Sequence, residues 1–306
     1  MSLVERALKK MQQSAKDGSL PRAPVDLPKN AVFGTVVVTA QQREVARGES
    51  VRPIKAPERI IQIDQVALRA AGLLPPEHQE RQIAQQYRQI KRPLVANAFG
   101  LDGVERIPEG HVIMMASAMP GEGKTFTSIN LAFSLALERD VSVLLVDADV
   151  AKPHISRLFG LESEQGLLDL LQDDSLSAES LILPTNVPRL SVLPAGRRSN
   201  EATELLASSR MKELMKEVAR NDASRITLLD SPPLLLTTES QALAQIAGQV
   251  VVVVRAGITP HGVLQDALSY FNEDKCVALI LNQSVETAPA GYYYYGYSDQ
   301  PNKERE

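Results

Sequence analysis

From His111 to Leu281 the chain alternates between two kinds of segment. Uninterrupted apolar runs recur at Val112 to Ala116, Val141 to Val146, Leu190 to Leu193, Ile226 to Leu229, Val250 to Val254 and Val277 to Leu281. Between most of them lie stretches with helical spacing, clearest at 124–138, 208–220, 239–247 and 260–272. A strand that is apolar on both faces needs cover on both. The pattern therefore predicts an α/β fold, a mainly parallel sheet with helices on each side.

Upstream of His111 the pattern breaks into shorter units. Ser2 and Glu5 form a capping box, and Val4, Ala7, Leu8 and Met11 follow at helical spacing, which predicts an amphipathic helix over 1–17. Lys9 and Lys10 fall on another face, so the helix reads equally as a surface element or as a docking helix for a partner. Pro21, Pro24, Pro28, Pro53 and Pro57 mark 18–60 as a linker, with one strand-like stretch at Thr35 to Thr39. Helical character returns over 61–95, and the α/β pattern occupies 96–284. The remainder, 285–306, is poor in aliphatic residues and rich in Tyr, Gly, Pro and charge, and is expected to be a disordered tail.

Composition narrows the function classes. A formal net charge of -4 and a pI near 5.7 argue against a dedicated nucleic-acid binder. Cys276, the only cysteine, cannot form an intrachain disulfide, and it opens an apolar run where a buried, unreactive thiol is expected; the chain reads as cytoplasmic. The N-terminus lacks the apolar core of a signal peptide, and runs such as Val250 to Val254 are too short to span a bilayer, so membrane association is expected through a partner or a surface contact. His78, His111, His154 and His261 show no metal-ligand spacing.

The first chemistry-bearing motif follows the first apolar run. Residues 118–125 read AMPGEGKT, matching the G-x-x-x-x-G-K-[ST] phosphate-binding loop except at Ala118. The setting is a strand, the loop, then a helix beginning near Lys124. Gly121 and Gly123 let backbone N–H groups converge on phosphate oxygens, and the helix N-terminus adds its positive end. Lys124 is expected to reach the β- and γ-phosphates of ATP, and Thr125 to ligate Mg²⁺. Pro120, Glu122 and Phe126 complete the segment expected to hold nucleotide.

Two further apolar runs end in carboxylates: Asp147 and Asp149 in VLLVDAD, and Asp230 in ITLLDSPP. In a parallel sheet these positions lie at the edge where ligands bind. Lys124, Asp147 and Asp149 are the expected catalytic residues, and Thr125, Asp149 and Asp230 the expected Mg²⁺ ligands.

The C-terminal tail carries five of the seven tyrosines, Tyr292, Tyr293, Tyr294, Tyr295 and Tyr297. Crowded phenols on a segment with no core to join read as substrate. A phosphate-donor site and a set of acceptors on one chain suggest self-phosphorylation. Tyr292 lies ten residues beyond Asn282, a reach on the order of 30–35 Å when extended, enough for a neighbouring subunit's site.

Together these residues resemble the bacterial tyrosine kinases, over about 85–297, and are most similar to the autokinases that accompany exopolysaccharide and exosortase loci. The resemblance rests on Pro120 to Thr125, on Asp147 and Asp149 after an apolar run, on Asp230 followed by Ser231-Pro232-Pro233, on Ile129 to Ala132 after the loop, and on the tyrosine cluster. It implies a P-loop fold and ATP- and Mg²⁺-dependent phosphorylation of Tyr292, Tyr293, Tyr294, Tyr295 and Tyr297. It also implies a role in exopolysaccharide synthesis or export, and an activator that is a membrane-embedded chain-length or co-polymerase protein. A homo-oligomer, an opposing tyrosine phosphatase, recruitment to the inner membrane through the partner, and an adenine contact near Asn282 are further implications. The chain departs from the family pattern at Ala151, where an arginine is usual and Lys152 stands beside it. It departs again in the nearest match to the family's E-x-x-R-x-x-R oligomerisation helix, Gln85, Arg88 and Lys91, where Arg88 fits and the other two charged positions are altered. The competing readings are a chromosome-partitioning or division-site ATPase, whose loop carries a lysine where this chain has Met119, and a nucleotide-switched adaptor that phosphorylates nothing.

Overall fold

The computed structural model describes residues 60–284. The expected N-terminal helix, the strand at Thr35 to Thr39 and the tyrosine cluster lie outside the described residues.

Among the described residues seven strands form one sheet: β1 (Val112–Ser117), β2 (Ser142–Asp147), β3 (Leu183–Pro184), β4 (Leu190–Leu193), β5 (Arg225–Asp230), β6 (Gln249–Arg255) and β7 (Cys276–Asn282). Their order is β3-β4-β2-β5-β1-β6-β7, and every pairing is parallel except that of β3 with β4. The six strands expected from the apolar runs are all present. The two-residue β3 was not expected, being too short to leave a pattern, and it holds a proline, as an edge strand can.

The helices are α1 (Gln65–Ala70), α2 (Glu80–Phe99), α3 (Lys124–Ala136), α4 (His154–Leu158), α5 (Leu167–Gln172), α6 (Ala178–Leu181), α7 (Ala202–Ala207), α8 (Ser209–Asn221), α9 (Thr238–Ile246) and α10 (His261–Leu268). They sandwich the sheet between two cores, and strand alternation sorts the residues between them. Val112, Met114 and Ala116 of β1 enter one core with Leu167, Leu170, Leu214 and Leu243, while Ile113 and Met115 enter the other with Ile129, Leu131 and Leu135. Each such Val, Ile, Leu or Met side chain, wholly removed from water, contributes roughly 1.5–3 kcal/mol relative to exposure.

The segment before β1 belongs to the second core. Ile61, Ile63, Leu68, Leu74, Tyr87, Leu94 and Ala98 are buried in it. Asp64 caps α1 by accepting the N–H groups of Val66 and Ala67. Helix α2 runs on through Pro93 to Phe99, past the boundary expected between 95 and 96. An interior proline costs one helical hydrogen bond, but burial of Leu94, Ala96 and Ala98 beyond it outweighs that loss. Gly100, in the left-handed region at φ 71°, ends the helix. Lys91 is buried, donating to the Ser134 carbonyl at 2.6 Å and pairing with Glu138 at 2.8 Å. The last of the three positions matched to an oligomerisation helix thus points inward, while Gln85 and Arg88 are exposed.

Because β1, β2 and β5 are parallel neighbours, their C-terminal ends open on one edge of the sheet. Asp147 stands in register with Asp230, and Met115 of β1 also pairs with Asp230. None of the described helices is long and apolar enough to cross a membrane.

Candidate active site

The centre of this edge is the turn from β1 into α3. Gly121 and Gly123 take φ of 81° and 93°, left-handed values that favour glycine, and Gly123 is the N-cap of α3. A Cβ on Gly123 would lie 2.0 Å from Asn282 Nδ2, whereas one on Gly121 would meet only open space. Asn282 donates to the Glu122 carbonyl at 2.9 Å, so one of its two amide N–H groups holds the loop backbone.

Glu122 is nearly buried and turned into the protein. Its carboxylate accepts the Met119 N–H at 2.8 Å and the Thr259 hydroxyl, and Thr259 in turn accepts the Arg255 N–H. This side chain therefore shapes the loop from behind and ties it to the turn after β6. Pro120 and Gly121 are exposed, and Phe126 is half-buried.

On the other side of the loop the first turns of α3 converge on β5. Asp230, fully buried, accepts from Lys124 Nζ at 2.9 Å, Thr125 Oγ1 at 2.8 Å and Ser128 Oγ at 2.8 Å. The Ser128 contact links residues 102 apart in the chain, and no local motif announces it. Ser231 anchors the end of β5 by donating to the Met115 carbonyl.

Asp147, at the end of β2, is also closed to solvent. Its Oδ2 accepts both the N–H and the hydroxyl of Ser156, at 2.7 and 2.8 Å, while Oδ1 has no partner among the described residues. Burial, reinforced by the charges of Asp230 and Asp149 against the lowering effect of the Ser156 bonds, pushes its pKa to about 7. Asp149 is half-buried and accepts the Lys152 N–H at 3.1 Å. Burial raises its pKa too, opposed by the positive charge of Lys124. Ser156, absent from the expected site, holds the first of the two carboxylates.

Lys124, Thr125, Asp230, Asp147 and Asp149 thus meet on one rim, flanked by glycine backbone and the start of a helix. This is the donor set that a nucleotide triphosphate with Mg²⁺ requires. A buried carboxylate oxygen left without a partner, Asp147 Oδ1, fits the same requirement.

Residues 110–273 match the AAA domain family, over more than half of the chain. A tyrosine-protein kinase of Bacillus subtilis (strain 168), YwqD, is 35% identical over 190 residues, which is 61% of this chain and 78% of that protein. The chain belongs to the bacterial tyrosine-protein kinases. The crystal structure of the VpsO kinase domain agrees, at 28% identity and a TM-score of 0.56, covering 69% of this chain and all of that one. Several other relatives are much longer. This chain spans only 24% of the tyrosine-protein kinase ptk of Acinetobacter johnsonii, to which it is 32% identical over 60% of its own length.

Proposed function

We propose that this kinase transfers the γ-phosphoryl group of ATP to Tyr292, Tyr293, Tyr294, Tyr295 and Tyr297 of its own chain type, and thereby controls exopolysaccharide synthesis or export. The observation that carries the reading is the convergence of Lys124, Thr125 and Ser128 on buried Asp230 next to the Asp147–Asp149 pair.

In this reading the loop N–H groups and Lys124 hold the phosphates, while Thr125, Asp149 and Asp230 hold Mg²⁺, which supplies charge neutralisation when bound. The phenol oxygen attacks the γ-phosphorus. Its new bond forms as the bond to the β-phosphate oxygen breaks, and ADP leaves with that electron pair. The phenol proton passes to Asp147, whose raised pKa and free Oδ1 suit an acceptor working near neutral pH. Half-buried Asp149 lines the approach. Because the tail follows β7, whose end faces the same rim, an extended tail can enter a neighbouring subunit's site, and transfer in trans is favoured.

The activator in this reading is a membrane-embedded polysaccharide chain-length or co-polymerase protein, which brings the kinase to the inner membrane. A homo-oligomer and an opposing phosphatase complete the cycle. Replacement of all five tail tyrosines by phenylalanine tests the reading. Incorporation of labelled phosphate from ATP should fall to background while nucleotide binding is kept; undiminished labelling would reject the tail as acceptor.

A further inference from the structure

We propose that the rim formed by the segments after β2 and β4 is a phosphotyrosine-binding site, and that its ligand is the modified C-terminal cluster. The proposal rests on the tail being the acceptor.

The two segments, 151–158 and 195–200, carry Lys152, Arg157, Arg197 and Arg198, with His154 between, and hold no carboxylate. The whole chain has a net charge of -4, so this is a local reversal. Lys152, Arg157 and Arg198 are exposed, and none of them forms an ion pair among the described residues. Glu162 and Glu201 lie outside the two segments.

Arg197 is held differently. Its Nε donates to Asp169 Oδ1 at 2.6 Å and its backbone N–H to Asp169 Oδ2 at 3.1 Å, while Asp169 itself is buried. The side chain is nevertheless 69% exposed. One edge of the guanidinium is fixed, and the terminal nitrogens face outward as a fork suited to phosphate.

The two segments are stitched to one another beside the reacting carboxylates. β2 and β4 are parallel neighbours, with Val146 in register with Leu193. Past their ends the Ala195 N–H donates to Ser156 Oγ at 3.0 Å, and Ser156 Oγ donates to Asp147 at 2.8 Å. Arg157 follows Ser156 directly, and Arg197 comes two residues after Ala195. The cations therefore lie on the two segments that are bonded to each other and to Asp147, on the side of the sheet edge where, in the proposed reaction, a neutral phenol becomes an anion of about -1.5 to -2 charges. A tyrosine offers them only a ring face and a neutral hydroxyl, whereas its phosphorylated form offers a charge and three strong acceptor oxygens.

The consequence for a cluster is retention. A first phosphotyrosine held at the rim keeps its neighbours, each at most about 3.6 Å further along the chain, at high effective concentration near the site. Multiply modified tails then appear early in the reaction.

The test uses fluorescence anisotropy on the dephosphorylated full-length chain, saturated with ADP to occupy the phosphate loop. The probes are labelled peptides of residues 288–300, unmodified or carrying one phosphotyrosine at Tyr297. The phosphopeptide should bind about tenfold more tightly, and the difference should shrink with salt. The variant Lys152→Gln/Arg157→Gln/Arg197→Gln/Arg198→Gln should reduce the preference to twofold or less. The variant Lys152→Gln/Arg157→Gln/Arg198→Gln, which keeps the Arg197–Asp169 pair and so an unchanged unfolding transition, should at least halve it. Equal affinity of the two peptides, or a preference undiminished by the triple substitution, overturns the proposal. So does a preference seen only without ADP, because the phosphate is then entering the nucleotide loop. Tail phosphorylation by ATP is read separately, so its failure rejects the autokinase reading while the anisotropy still reports on the rim.

Discussion

Asp230 takes three donors from one helix, of which the Ser128 hydroxyl also has the Lys124 carbonyl within reach at 3.0 Å. Replacing it with alanine leaves the Lys124 ammonium, 8% exposed, without its counter-charge. Removal of one member of a buried pair costs about 3–5 kcal/mol. Asp230→Ala should therefore lower unfolding stability in urea on that order and abolish binding of an ATP analogue, whereas Ser128→Ala should cost only about 1 kcal/mol. Asp147 behaves in the opposite sense. Its folded pKa of about 7 lies above the ordinary 3.8, so between those values the folded chain binds more protons than the unfolded one. Stability contributed by this residue falls as pH rises from about 4 to 7, and the full penalty persists above. Asp147→Asn should raise stability at pH 8 by on the order of 1–3 kcal/mol and leave it unchanged near pH 4, as measured by denaturant titration at both pH values. The two carboxylates were legible in the sequence because each ends an apolar run. Their partners Ser128 and Ser156 were not, because a serine inside a helix carries no signal until the sheet brings a distant aspartate beside it.

At the level of elements, α2 and α3 show how the segment before β1 supports the site. Lys91 of α2 donates to the Ser134 carbonyl, in the last turn of the helix that begins with Lys124, where backbone acceptors lack helical partners. Asn130 of α3 likewise donates to the Leu73 carbonyl. Lys91→Met should therefore destabilise the fold by about 1–3 kcal/mol through the freed Ser134 and Glu138 oxygens, visible as an earlier thermal midpoint, with the nucleotide site otherwise intact. Strands β1, β2, β5 and β6 were legible because parallel strands buried on both faces leave continuous apolar runs, and the edge strand β7 keeps such a run although Leu279 and Leu281 are exposed. Helical character was legible only as far as residue 95, since Pro93 marks a stop locally and only the buried Leu94, Ala96 and Ala98 explain why the helix continues to Phe99. Helices α4, α6 and α7, of four to six residues, are shorter than the window over which helical periodicity can be read.

Across the whole molecule, the parallel sheet puts the chemistry on one edge. Asp147, Asp230, the phosphate loop, Thr259 and Asn282 follow one another in strand order from β2 to β7, with the basic segments after β2 and β4 at one side. Glu122 spans the middle of that row, joining the loop to the turn after β6. The sequence motif marked Glu122 as part of the loop, but only the fold reveals that its side chain faces inward. In the proposed reaction this edge transfers phosphate to the tyrosine cluster that follows β7. Tail-peptide mass spectrometry after incubation with ATP, Mg²⁺ and the activating partner tests it most directly, with Lys124→Met in parallel. Phosphate on Tyr292 to Tyr297 in the wild-type chain and none in the variant is the predicted result; an unmodified wild-type tail, or equal modification of both chains, contradicts it.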